Sequence, residues 1–131
     1  MSVSNAESKI VTLRRELERL NRSLTQEEKS ELGYQNSKTR IEKSINKNTS
    51  ASSLKTKLKS ISAYQDRINN SRKKQSEIKM KISKKQTDIT KKEAELQKAQ
   101  GKVFSEMEKK QAAAIADQIK AVKEIAIASK N

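Results

Sequence analysis

The stretch KNTSASSL, residues 47–54, is the one segment of this 131-residue chain that does not read as helix. Its residues are small, polar and turn-prone, and helix-rich sequence runs on both sides of it. Either it links two independent pieces or it is the bend that folds one long helix back on another, and the choice decides whether the chain has a fold of its own.

The flanking sequence favours the bend. Ile10, Leu13, Leu17, Leu20 and Leu24 are spaced 3, 4, 3, 4, an apolar heptad seam. The same frame then passes through Glu27, Glu31, Tyr34 and Lys38 before apolar residues return at Ile41 and Ile45. Because the phase survives from Leu24 to Ile45, the spacing predicts one helix that continues through Gly33, where glycine costs about 1 kcal/mol relative to alanine. On the far side Leu54, Ile61, Ile68, Gln75, Ile82, Ile89 and Leu96 fall every seven residues. Leu58, Tyr64, Ile78 and Ala99 flank them. A seven-residue repeat held this long favours a left-handed supercoil.

If the chain reverses near Thr49–Ser50, facing residues have numbers summing to about 99. Ile10 then meets Ile89, Leu17 meets Ile82, Ile45 meets Leu54, and Tyr34 and Tyr64 share a layer. The register is the one a tight turn permits, with Asn48 ending the first helix in the left-handed conformation and a serine between Ser50 and Ser53 capping the second. The expected fold is all-α: a long antiparallel coiled-coil hairpin with arms at about 4–47 and 53–99, a turn at 48–52, and each arm roughly 65 Å long at 1.5 Å per residue. Ser4 with Glu7 forms a capping-box pattern at the start.

After Gly101 the phase changes, and Ser105 with Glu108 repeats the capping-box pattern. Residues 101–131 are Ala-rich and the least charged part of the chain. They predict a shorter C-terminal helix or a connector into a further domain. Ile115, Ile119 and Val122 are its candidate residues for self-association or docking.

Composition narrows the classes. Hydrophobic residues make up 32% of the chain against a usual 45–50%, too few for a conventional core. Two glycines and no proline favour long helices with a narrow seam over disorder. Neither cysteine nor histidine is present, so disulfides, zinc sites and His-dependent catalysis are not expected. A two-helix ribbon offers no concave site, so Glu27, Glu28 and Glu31 read as seam and surface charge, with no enzyme activity and no cofactor. The N-terminus lacks a signal-peptide pattern, and no apolar run approaches a membrane span. A cytoplasmic location is the expectation.

The net charge of +14 is uneven, because residues 51–100 carry 14 basic and 5 acidic side chains. Lys73, Lys74, Lys84, Lys85, Lys91 and Lys92 form a candidate anion-binding stripe. The plainer reading is a solvated coiled-coil face, since lysine far outnumbers arginine and no aromatic residue is interleaved. Weak, nonspecific nucleic-acid binding through these lysines is the alternative function. Glu27 and Glu31 face the Arg72–Lys73 region, which predicts a polar layer within the seam.

The segment from Asn46 to Leu96, with Thr49-Ser50-Ala51-Ser52-Ser53 at its turn, resembles the N-terminal helical region of bacterial proteins that carry a TIR or similar effector domain after a coiled coil. The resemblance spans about residues 5–128. It implies a cytosolic antiphage or stress-response role, in which the helices scaffold or assemble an NAD-cleaving effector. No TIR sequence is present, so no catalytic residue carries over. Together these readings make the chain a non-enzymatic oligomerisation or scaffold module, with a homo-oligomer and an attached or partner effector domain as the implied partners.

Overall fold

A computed structural model describes residues 2–130. Met1 and Asn131, the outer limits of the segments expected from sequence, lie outside the described residues. The described chain is all-helical: α1 spans Val3–Ser44 and α2 spans Ala51–Lys130. It divides into two compact units, one of residues 11–89 and one that joins the start of α1 to α2 from residue 90 onward.

In the first unit the two helices pack as a hairpin-like pair. Side-chain bonds link Ser44 to Lys57, Lys38 to Gln65, Glu31 to Arg72, Glu27 to Ser71 and Glu16 to Lys85. Across the set, as the α1 number falls from 44 to 16 the α2 number rises from 57 to 85. The seam is thin. Within it, among the described residues, only Ile68 and Ile89 are fully buried apolar side chains. A fully buried isoleucine contributes about 1.5–3 kcal/mol, so the pair depends on many half-buried layers.

The bend lies at residues 45–50, earlier than the expected 48–52, and α1 stops at Ser44. No described residue has positive φ, so Asn48 does not end α1 in the left-handed conformation. Asn46 closes the turn instead. Its Oδ1 accepts the Asn48 N–H at 2.8 Å, and its own N–H donates to Thr49 Oγ1 at 3.0 Å. An amide side chain that bonds backbone two residues on replaces the missing helical bonds. The Ile45 N–H bonds Glu42 O, tightening the last turn, and Lys57 Nζ donates to Ser44 O at 3.0 Å. Lysine thus satisfies an end carbonyl where the helix dipole favours a cation. Ser50 is the cap of α2, its Oγ accepting the Ser53 N–H at 3.1 Å.

Ser2 caps α1, accepting the Asn5 N–H on its Oγ and the Ala6 N–H on its carbonyl, so the Ser4–Glu7 box is not used. Gly33 lies inside α1. The separate C-terminal helix expected after Gly101 is not a separate element, because α2 continues without interruption through Gly101, Ser105 and Glu108. A glycine keeps its N–H and adopts helical φ at modest cost, whereas only proline would remove a rung of the ladder.

Candidate functional site

In the unit of residues 11–89, every a and d position of the heptad frame is buried or half-buried. On α1 these run Leu13, Leu17, Leu20, Leu24, Glu27, Glu31, Tyr34, Lys38, Ile41 and Ile45. On α2 they include Leu54, Ile61, Tyr64, Ile68, Gln75, Ile78, Ile82 and Ile89. Leu58 is the exception among the seam candidates. It sits one position outside the frame and is exposed. In the second unit Ala6 and Ile10 are buried, and Lys92, Leu96 and Ala99 are half-buried.

The centre of the seam is polar and internally bonded. Glu31 Oε1 accepts from Arg72 Nε and from Gln75 Nε2, each at 3.2 Å, while its Oε2 accepts from Gln35 Nε2 at 3.1 Å. Gln75 also donates to Ser71 Oγ, and Ser71 Oγ donates to the Glu27 carbonyl at 3.1 Å. Ser71 is 2% exposed, so this is where the backbones come close enough for a hydroxyl to bridge them. Sequence reading did not single out Ser71. It lies three residues after Ile68, and carrying the flanking heptad position through polar residues identifies it. Lys57, Lys85 and Lys92 occupy the same position and are half-buried.

Next to this layer the Tyr34 and Tyr64 rings meet with centroids 6.5 Å apart, tilted by 39°. Arg67 caps both, its guanidinium carbon 5.9 Å from the Tyr34 centroid and 5.2 Å from that of Tyr64. Such contacts contribute about 0.5–1 kcal/mol at exposed sites. The shared tyrosine layer was legible in the register; the arginine over it was not.

The six lysines proposed for anion binding separate into two groups. Lys73, Lys74, Lys84 and Lys91 are exposed. Lys85 instead pairs with Glu16, and Lys92 pairs with Glu95 at 3.1 Å. Its hydrogen bond to Glu16 raises the Lys85 pKa above its ordinary 10.5, against the lowering effect of burial and with further support from the Glu16 and Asp88 charges. The stripe is therefore partly neutralised, at Lys85 from the facing helix and at Lys92 from within α2.

A different surface is left unpaired. From residue 100 to 129 every side chain of α2 is exposed. Phe104, Met107, Ile115, Ile119, Val122 and Ile125 share one face of the helix, at spacings of three, four and multiples of them. Lys109, Lys110, Asp117, Lys120 and Glu124 occupy the other side. Among the described residues no helix is long and apolar enough to cross a membrane. Likewise, no three His, Cys, Asp or Glu side chains gather as a metal cluster among them. Compared with known protein families, with curated proteins and with solved structures, the chain matches none.

Proposed function

We propose that the chain is a non-enzymatic scaffold whose helices form an antiparallel coiled-coil hairpin and whose C-terminal helix brings copies together. The falling and rising numbers of the bonded pairs, and the shielding of every a and d position between residues 13 and 89, support the supercoiled hairpin. One observation carries the assembly reading. Six large apolar side chains line one face of residues 101–129, and all six are exposed among the described residues. Isolated helices gain most of their stability from packing such a face. Residues 101–131 carry 6 basic and 4 acidic side chains, while the preceding hundred residues hold most of the +14 charge. Copies meeting there avoid the repulsion between hairpins.

The resemblance to effector-fused bacterial coiled coils adds a role for the assembly: holding attached or partner TIR-like effector domains together in the cytoplasm during antiphage defence. Sedimentation equilibrium at micromolar concentration tests the core of the proposal. A concentration-dependent oligomer is expected, reverting to monomer in Ile115→Glu with Ile119→Glu. A stable, fully helical monomer of the unmodified chain overturns it. The effector role is tested by fusing a TIR domain after the chain and measuring NAD loss, which the same double substitution is expected to reduce.

A further inference from the structure

The acidic and basic side chains of the hairpin are not matched evenly along its length. Residues 11–31 of α1 carry five acidic groups, of which Glu16 and Glu31 pair across to Lys85 and Arg72 and Glu18 pairs within α1 with Arg22. The turn end differs. Between Glu31 and Asp66 the chain holds Lys38, Arg40, Lys43, Lys47, Lys55, Lys57 and Lys59, and a single acidic residue, Glu42. Glu42 lies 3.9 Å from Lys38, and Lys38 and Lys57 are further occupied by Gln65 and the Ser44 carbonyl. Folding at 45–50 brings the remaining cations of both helices to one end of the pair. Arg40, Lys43, Lys47, Lys55 and Lys59 are all exposed there.

We propose that this turn end is a docking surface for the phosphate backbone of duplex nucleic acid. Five exposed cations drawn from two helices and their loop meet a polymer that carries one negative charge per roughly 1.7 Å of axis. Hydroxyl and amide side chains crowd the same end (Ser44, Asn48, Ser50 and Ser52 are exposed), and such groups position phosphate oxygens. A single strand is a poorer fit, since no aromatic ring is exposed there for bases to stack on; Tyr34 and Tyr64 face each other in the seam. Two helices side by side are also broader than the major groove, about 12 Å wide, so contact is to the backbone and independent of sequence. An anionic bilayer is the weaker match. Leu58 is the lone large apolar side chain exposed at this end, and stable membrane anchoring takes more than a basic patch. This surface shares no residue with the apolar face of residues 101–129, so its failure leaves the scaffold reading standing.

The test is fluorescence anisotropy of a labelled DNA duplex titrated with the full chain across roughly 50–200 mM salt. Five phosphate contacts give a log–log salt slope of about −4.5. Lys47→Gln with Lys55→Gln and Lys59→Gln is expected to flatten that slope by about 2.7 and weaken binding at least about tenfold at low salt. The charge-matched control, Lys73→Gln with Lys74→Gln and Lys84→Gln, is expected to change both far less. In the unmodified protein, bound duplex should shield Lys47, Lys55 and Lys59 from amine acetylation ahead of Lys73, Lys74 and Lys84, a readout that needs no variant. The proposal is overturned by equal losses in the two triple variants or by uniform shielding. It is likewise overturned by absence of salt-dependent DNA binding, or by binding only to phosphatidylserine vesicles.

Discussion

Helix α2 meets two different environments without a break in its backbone. Between Leu54 and Ala99 its seam positions are shielded, and even a lysine at such a position, Lys85, finds an acidic partner across the pair. From Lys102 to Ser129 side chains of comparable hydrophobicity lie open to solvent. The intrinsic helix preference of the two stretches is similar, and the later one, rich in alanine, is if anything the better helix former. What separates them is a partner as well as phase: α1 begins at Val3, so its described residues pair with α2 only up to about the end of the heptad. The heptad that ends at Ala99 does not continue, and the apolar face that begins at Phe104 is set by a new spacing. Helicity and burial are thus specified independently here, the first by composition and the second by a repeat that has a facing helix to meet.

This contrast can be tested by making the same kind of change on both sides of Gly101. The largest effect is expected from truncating a shielded isoleucine: Ile68→Ala should cost about 2–5 kcal/mol in urea unfolding. Ile115→Ala should leave the hairpin transition in place. Overpacking comes next. Ser71→Leu puts bulk where the Ser71 hydroxyl touches the Glu27 carbonyl, and about 1–3 kcal/mol of destabilisation is expected. Ala114→Leu, on the open stretch, should cost nothing in the same assay. Both glycines have open space where a Cβ would stand and neither has positive φ. Gly33→Ala and Gly101→Ala should therefore each raise helix stability by about 0.5–1 kcal/mol. Only Gly33→Ala should move the midpoint of hairpin melting followed by circular dichroism.

The smallest effect is a pH dependence. The raised pKa of Lys85 means that its contribution is fully present below the ordinary value of 10.5 and is lost as pH climbs through the folded value. Alkaline melts of the unmodified chain should therefore fall slightly more steeply than those of Lys85→Met. A steeper fall in the variant would show that the Glu16 pair does not favour the charged lysine.

Much of the fold was legible because a heptad repeat is a long-range signal that survives polar substitutions. The frame that passes through Glu27, Glu31 and Lys38 predicted that these residues sit in the seam, and each is half-buried. The failures were local. Helix ends depend on which side chain reaches which N–H: Ser50 caps α2 as expected, but Ser2 and Asn46 prevailed over Ser4 and Asn48 through geometry that residue type alone does not reveal. Gly101 looked like a boundary because the phase changes beside it, but a change of phase alters what a helix presents and leaves its hydrogen bonds intact. For the candidate surfaces, the sequence pointed to Ile115, Ile119 and Val122. It did not reveal that Arg40, Lys43, Lys47, Lys55 and Lys59 gather exposed at one end of the pair, because that depends on where the chain turns.

The Asn46–Thr49 closure carries a kinetic consequence. Moving away from it, bonded partners are separated by 13 residues at Lys57–Ser44, 27 at Lys38–Gln65 and 44 at Ser71–Glu27. Closing each successive contact costs chain entropy that grows only slowly once the nearer ones are in place. The hairpin is therefore expected to zip from the loop outward, with early formation near Lys57 and late formation near Glu16. Asn46→Ala should slow refolding in stopped-flow measurements, whereas Leu17→Ala should chiefly hasten unfolding.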